Sequence, residues 1–557
     1  MFARQTLALA RRCSVDGALD SARLDREQVA GYELAFAGAE LLAAETLLAE
    51  LTQASSELDV RLALTYAAEA FRSVEDRLEQ VTFDLDADCA PPGAVRGTGN
   101  THHSAHSGRS GAARACIKHV LSGAALDETG RLLNECRGEI AAVALSEELD
   151  MAQGEFRRLA AEVLAPAAMQ IHRDDLIVPE ELLQRYRAMG VFGLSIPERF
   201  GGSAPDGRDN NLMMIVVTEA LSEASLAAGG SLITRPEILS RALLAGGTAE
   251  QQNEWLPRIA AGDPLCAVAI TEPGYGSDVA HVQLKATKAA GGWLLNGAKT
   301  WCTFAGCAGL IMVVARTAAD PSLGHLGLSV LLVEKPSYYG HEFDHRQEAD
   351  GRLAGKAIAT IGYRGMHSFD LAFDDYFVPD AHVIGGAAGL GKGFYFTMAG
   401  MVGGRLQTAA RACGVMRAAL KAALRYAADR KVFNAPLADY SLTRAKLARM
   451  AARFAACRQL TYAVGRMMDA GAGRMEASLV KLFACRSAEW LTREALQIHG
   501  GMGYAEETPV SRYFIDARVL SIFEGAEETL ALKVIARSLF ESALRTADAA
   551  GPVVVSK

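Results

Sequence analysis

The hydrophobic periodicity of this 557-residue chain switches twice, and the order of the switches restricts the folds open to it. Residues 25 to 80, 147 to 175 and 180 to 190 carry apolar residues at helical spacing, as in the stripe Leu34, Ala37, Leu41, Ala44 and Leu48. Near residue 264 the pattern becomes short apolar runs of strand length, at 266–270, 310–315 and 328–333. Trp293-Leu294-Leu295 ahead of Asn296-Gly297 reads as a hairpin, because Asn-Gly suits the positive φ angles of a tight primed turn. Leu371-Ala372-Phe373 before Val378-Pro379 ends the strand region, and from Gly393 helical spacing returns almost to the end. Helices, then sheet, then helices predict an α+β fold that is mostly α, since a doubly wound α/β sheet would alternate the two. No Gly-x-Gly-x-x-Gly follows a strand and opens a helix, which argues against a Rossmann nucleotide site.

Four units are expected: a helical extension over 1–146, a helical unit over 147–262, a β unit over 263–385 and a helical bundle over 386–557. Within the extension, residues 91–111 are rich in Gly, Ser and His. Thr101-His102-His103 and His106 favour a linker or lid over a metal site, because no acidic residue accompanies them. Arg4, Arg11 and Arg12 resemble a transit-peptide pattern, but Asp16, Asp20 and Asp25 soon break it, which favours a helical lead-in.

The net charge of −8 argues against a nucleic-acid groove or an anionic membrane surface as partner. No apolar run reaches membrane-spanning length, so no membrane insertion is expected. The ten cysteines are scattered without a Cys-x-x-Cys pair, which suits reduced thiols in a cytosolic enzyme and offers no metal set.

Near the C-terminus, Ile522-Phe523-Glu524-Gly525-Ala526 sets one carboxylate between an apolar run and a glycine. A carboxylate in apolar surroundings is a poor ion and a stronger base, as removing a proton from carbon requires. The plain alternative is a surface glutamate at a helix junction.

Other segments carry a family pattern. Thr271-Glu272-Pro273-Gly274-Tyr275-Gly276-Ser277-Asp278, then Gln497-Ile498-His499-Gly500-Gly501-Met502-Gly503-Tyr504, then Ile522-Phe523-Glu524-Gly525 resemble the acyl-CoA dehydrogenase family in order and spacing, over about residues 150 to 545. The resemblance implies a helical domain, a central β domain and a C-terminal helical bundle around FAD. It implies that Ile270, Thr271, Gly276, Ser277, Trp301 and Thr303 contact the flavin, with Ser277 also near the thioester. The plain alternatives are an ordinary Pro-Gly turn and, for Trp301, a core side chain. Arg430, Phe433, Gln497, Gly500, Gly501, Ala526 and Glu528 match further FAD positions, several of them serving the cofactor of a neighbouring subunit. A homodimer or homotetramer is therefore expected. A glycine pair here also suits a helix C-cap, and Arg430 also suits a solvated helix charge. Asn434 stands where the family commonly has glycine, Ser441 where glutamine is common and Ala526 where threonine is common.

In this family the glutamate matching Glu524 takes a proton from the α carbon of an acyl-CoA thioester while a hydride leaves the β carbon for the flavin. Some members carry the base immediately before an arginine matching Arg405; here that position is Gly404, which leaves Glu524. Arg405 reads either as a substrate contact or as a structural ion-pair partner, and Gly525 as a substrate-side backbone position. An extension of this length is similar to that of members acting on (2S)-methylsuccinyl-CoA in the ethylmalonyl-CoA pathway, with mesaconyl-CoA as product. Such a substrate ends in a second carboxylate, which needs a cation if it is buried. Thr234 and Arg235, in Ser231-Leu232-Ile233-Thr234-Arg235-Pro236, fall where the family lines its acyl pocket, and Arg235 is the expected partner of that carboxylate. A surface arginine at a helix start is the alternative. Two other functions stay open, a short or branched-chain monocarboxylic acyl-CoA dehydrogenase and a non-catalytic flavin-binding scaffold. The family's electron acceptor is the electron-transfer flavoprotein; oxygen is a variant. The extension carries no readable chemical motif, and packing on the core, stabilising the oligomer and covering the CoA entrance are all open to it.

Overall fold

The structure, a computed structural model, describes residues 1–86, 111–136 and 138–549. The histidines expected in a linker, His102, His103 and His106, lie outside these residues. The chain opens with a helix over Phe2–Arg12, then a small hairpin, then two long helices, Gln28–Ala49 and Glu57–Asp86. Leu34, Ala37 and Ala44 of the expected stripe are buried, but so are Ala30, Ala35, Phe36, Ala39 and Ala43, while Leu48 is exposed. The Gln28–Ala49 helix is covered on most sides rather than along one stripe, because small alanines let neighbouring helices approach all round it.

Helices Glu147–Leu159, Asn211–Ala224, Thr234–Gly246 and Ala249–Ala261 follow. The last opens on a reciprocal capping box between Thr248 and Gln251. An eight-stranded sheet occupies the middle of the chain. Cys266–Ala269 runs parallel to Leu310–Arg316, which pairs antiparallel with Leu328–Glu334. Lys285–Ala289, Gly292–Thr303, Ser368–Pro379, Arg352–Ala357 and Glu342–Arg346 extend the sheet antiparallel. Every residue of Leu310–Arg316 is buried. Its alternate side chains divide between two cores: Ile311, Val313 and Ala315 on one face, Leu310, Met312 and Val314 on the other.

The hairpin expected at Asn296-Gly297 is corrected. Both residues lie inside Gly292–Thr303, and the tight turn stands earlier, at Gly291 (φ +73°) before Gly292. Asn296 marks a bulge instead: its side chain exchanges hydrogen bonds with Asp375, where the pairing with Ser368–Pro379 shifts register. A side chain that can satisfy a backbone N–H serves a bulge as well as a turn, and the sequence signal is the same. The polar strands Lys285–Ala289, Glu342–Arg346 and Arg352–Ala357 carry too little apolar content to be read beforehand.

The 37-residue helix Gly393–Asp429 runs through the C-terminal bundle against Asn211–Ala224, Thr234–Gly246 and Arg474–His499. Ser441–Asp469 and Pro509–Val519 complete it, and a helical segment from Glu527 to Ala549 ends the described chain. The fold is mostly helical, with helical regions on both sides of a curled middle sheet. Among the described residues every cysteine is free, and no helix is long and apolar enough to cross a membrane.

Candidate active site

Glu524 sits in a loop between the helix ending at Val519 and the helical segment opening at Glu527. Its backbone is left-handed, φ +55°, and Gly525 follows at +98°. A non-glycine residue in this region costs of order 1–3 kcal/mol and persists only where the surroundings dictate it. Two contacts do so here. The Glu527 amide donates to Ser521 O at 3.1 Å, closing the loop on itself. Lys481 Nζ donates to Gly525 O at 2.6 Å. A Cβ on Gly525 would stand 3.0 Å from Leu530, so glycine is required there for space as well as for conformation.

The half-buried Glu524 carboxylate makes no hydrogen bond or ion pair with the described residues. A Cβ built on Gly404 would stand 3.0 Å from its Oε2, so position 404 and the Glu524 carboxylate compete for one space. The apolar setting expected from Ile522 and Phe523 is corrected. Ile522 is exposed, and the charged groups that interact with the carboxylate come from distant helices: Arg405 and Arg411 of Gly393–Asp429, Lys481 of Arg474–His499, and the buried acid Glu237 of Thr234–Gly246. Burial lowers the pKa of the three cations, and the Glu524 charge opposes that in each case.

Arg411, fully buried, stacks on the Phe523 ring at 4.7 Å and reaches Thr408 Oγ1 at 2.6 Å and Ser231 Oγ at 3.4 Å. Tyr363 packs edge-on against Phe523 at 5.6 Å. Its hydroxyl accepts from Arg235 at 3.3 Å, and Arg235 also donates to Ser231 O at 3.0 Å. Arg235 is thus buried, not the surface arginine of the alternative reading. Thr234 beside it buries a hydroxyl without a partner. Arg405 donates to Ser478 Oγ at 3.2 Å and leaves Nε unpartnered, so no ion pair explains it. Among the described residues, Arg235, Arg405, Arg411 and Lys481 have no carboxylate at ion-pair distance, and Glu524 is a carboxylate that the charges of Arg405, Arg411 and Lys481 meet. Arg411, Lys481 and Tyr363 escaped the sequence reading. The available signal was Arg411 itself, a lone arginine in an alanine-rich helical run, two turns beyond Gly404 and so on the same face.

The Thr271–Ser277 turn reaches the same place from the sheet. Its anchor is Glu272, which accepts from the Gln283 and Leu284 amides and from the buried Lys299 Nζ, and Lys299 also donates to Ile270 O. The Thr300 amide donates to Thr271 O at 2.9 Å. Ser277 Oγ lies 2.9 Å from Thr529 Oγ1, which ties the turn to the helical segment after Glu524. Trp301 is not a core residue: it takes φ +57° and is 56 % exposed between two buried neighbours. Thr303 Oγ1 bonds Ser368 Oγ at 2.9 Å. Trp301 and Glu524 are two of the twelve non-glycine residues that take a positive φ among the described residues.

A second group forms elsewhere. Tyr426 and His499 stack at 4.3 Å, joining the end of Gly393–Asp429 to the end of Arg474–His499. That brings Arg430 and Phe433 near Gln497, Gly500 and Gly501, and among the described residues no hydrogen bond or ion pair joins these to the Glu524 group. Phe433 is 93 % exposed, and Gly500 and Gly501 have open space where a Cβ would stand. Asn434, which stands where the resemblance expects glycine, holds φ +69°, a left-handed conformation that asparagine tolerates. An uncovered indole, an uncovered phenyl ring and bare glycine backbone beside an arginine fit a flat, phosphate-bearing cofactor such as FAD. Ala526 opens the Glu527 segment, and Glu528 is exposed in its first turn.

Residues 146–263, 267–376 and 391–540 match the family models for the N-terminal, middle and C-terminal domains of acyl-CoA dehydrogenases. The chain is 39 % identical over 409 residues to the (2S)-methylsuccinyl-CoA dehydrogenase of Cereibacter sphaeroides, covering 73 % of this chain and 72 % of that protein. Butyryl-CoA dehydrogenase from Megasphaera elsdenii superposes with a TM-score of 0.65 at 29 % identity, over 72 % of this chain and 99 % of that one. A chain from the study of the electron transferring flavoprotein of Acidaminococcus fermentans gives a TM-score of 0.65 at 28 % identity, with the same coverage.

Proposed function

This chain belongs to the acyl-CoA dehydrogenase family, FAD-dependent enzymes that dehydrogenate acyl-CoA thioesters, and on that premise we propose that it converts (2S)-methylsuccinyl-CoA to mesaconyl-CoA with Glu524 as the base. The observation that carries the substrate is the burial of Arg235 and Arg411 around Ser231 without a carboxylate partner. A buried cation without a counter-charge is costly. A thioester whose acyl group ends in a second carboxylate supplies that counter-charge, and an aliphatic tail does not. Tyr363, hydrogen-bonded to Arg235 and packed on Phe523, links this anion pocket to the Glu524 loop.

Glu524 accepts the proton from the α carbon, and Gly404 leaves its carboxylate the space to do so. A bound FAD would supply the acceptor for the hydride from the β carbon. Trp301, Thr303, Thr271 and Ser277 hold the flavin ring, with Ile270 and Gly276 as backbone. Arg430, Phe433, Gln497, Gly500 and Gly501 serve the cofactor of a neighbouring copy, with Ala526 and Glu528 as flanking contacts, which makes the working unit a homodimer or homotetramer. Electrons leave to an electron-transfer flavoprotein, and the enzyme works in the bacterial cytoplasm, in the ethylmalonyl-CoA pathway.

Anaerobic mixing of the holoenzyme with a panel of acyl-CoA esters tests this through flavin absorbance. (2S)-Methylsuccinyl-CoA is expected to bleach the flavin fastest. Arg235→Met is expected to lower kcat/KM for it by roughly tenfold to a hundredfold, the range for a lost charge-assisted contact. Equal bleaching by butyryl-CoA or isovaleryl-CoA would show a monocarboxylic enzyme, and no bleaching by any ester a flavin-binding scaffold.

A further inference from the structure

The extension before residue 146 lies outside the three family models, yet it touches the loop that carries Glu524. Its Gln28–Ala49 helix lies along the Glu527–Ala549 segment, at a distance where a Cβ on its glycines would make ordinary contact. A Cβ on Gly31 would meet Leu532 at 3.5 Å and Ala536 at 3.6 Å, and one on Gly38 would meet Leu539 at 3.7 Å. Lys533 Nζ pairs with Asp25 at 2.5 Å on the open side of the same seam.

At the head of the seam, Tyr32 Oη donates to Glu527 Oε1 at 2.6 Å. Glu527 is buried and is the residue whose amide closes the loop on Ser521 O. Its other oxygen takes Arg486 Nε at 3.1 Å, and Arg486 also reaches the Tyr32 hydroxyl at 3.4 Å. Ser521, at the far end of the loop, hydrogen-bonds Glu489. The strained backbone of Glu524 and Gly525 therefore stands between two clamped ends, and one clamp is completed by a side chain from the extension. Burial and then the Glu527 bond push the Tyr32 phenol up to about 12, which leaves it a proton donor throughout the working pH range.

We infer that Tyr32 is a positioning residue: through Glu527 and Arg486 the N-terminal extension holds the Ser521–Glu527 loop in the left-handed conformation that presents Glu524. The inference rests on the reading of Glu524 as the base. The extension is on this account a part of the active-site scaffold, acting without touching substrate or cofactor.

Tyr32→Phe removes the hydroxyl alone. In the purified FAD-bound enzyme its limiting rate of flavin reduction by (2S)-methylsuccinyl-CoA should fall about tenfold, as a slightly misplaced reacting group predicts. The substrate dissociation constant from the same anaerobic titration should change less than about twofold, and amide exchange over residues 521–527 should accelerate. Glu527→Gln should move all three readouts the same way, and it decides the matter if Tyr32→Phe does not retain FAD. Asp25→Asn, on the same seam but exposed, should leave all three unchanged. Parental reduction rates in Tyr32→Phe or Glu527→Gln overturn the inference, and so does an equal loss in Asp25→Asn, which would mean general packing. Glu524→Gln separates the two ideas. If it reduces flavin at the parental rate, the base assignment fails and the brace with it; if it is inactive while Tyr32→Phe is unimpaired, the brace alone fails.

Discussion

Two carboxylates in the helical body show how the same side chain is given opposite work. Glu219, in the Asn211–Ala224 helix, is buried and fully partnered: Arg458 at 2.7 Å, Arg417 at 3.1 Å and the Tyr462 hydroxyl at 2.6 Å. Burial alone would push its carboxyl up, but Arg458 and Arg417 outweigh that and leave it at about 2. Glu524 also faces arginines and a lysine, yet none of them hydrogen-bonds it. Glu219 is a fixed counter-ion with both oxygens engaged. Glu524 keeps its lone pairs free, on a loop whose strain is balanced by contacts to its neighbours rather than to its carboxylate. The base proposed for Glu524 needs a free lone pair; a structural ion does not.

The comparison breaks most directly at Glu524. Glu524→Gln should slow flavin reduction by about 10²- to 10⁴-fold, the range for a positioned base, with FAD content and Tm close to the parent. Stopped-flow reduction and thermal unfolding of one preparation read both. Glu219→Gln should do the reverse. It removes the buried counter-charge of Arg458 and the nearest of the three carboxylates around Arg417, at about 3–5 kcal/mol of stability, while the folded fraction keeps its turnover. Denaturant unfolding beside active-site titration separates the two effects. A smaller change sharpens the free-carboxylate half of the contrast: Gly404→Ala places a methyl 3.0 Å from Glu524 Oε2. The carboxylate must shift, and flavin reduction should fall roughly tenfold with little change in CoA-ester binding. The smallest effect is in pH. Glu219 ionises lower in the folded protein than its ordinary 4.5, so its contribution is present above pH 4.5 and is lost as the pH falls toward 2. The difference in Tm between parent and Glu219→Gln should be flat above pH 5 and narrow below it; a difference that widens with acid would contradict this assignment.

Much of this was legible in the chain. The strands 266–269, 310–316 and 328–334 are apolar because both of their faces are covered, and a continuous apolar run survives in sequence whatever it packs against. Polar strands at the open side of the sheet were not legible, since hydrogen bonding to a neighbour leaves no mark on side-chain type. The Asn-Gly pair misled because bulges and turns ask the backbone for the same freedom. At the site, the contiguous motifs around Ser277, Gly500 and Glu524 could be read. Arg411, Lys481 and Tyr363 could not, because each comes from a different segment and means nothing until the helices cross.

The sequence by itself determined the order of elements, the family and the short motifs, because periodicity and contiguous spacing are local properties of a chain. Only the tertiary structure decided which charges meet. It placed Arg235 and Arg411 around Ser231, set Gly404 against the Glu524 carboxylate and brought Tyr32 to Glu527 across nearly the whole chain. Electrostatic work depends on distances of a few ångströms between residues hundreds of positions apart, and packing, not adjacency in sequence, sets those distances.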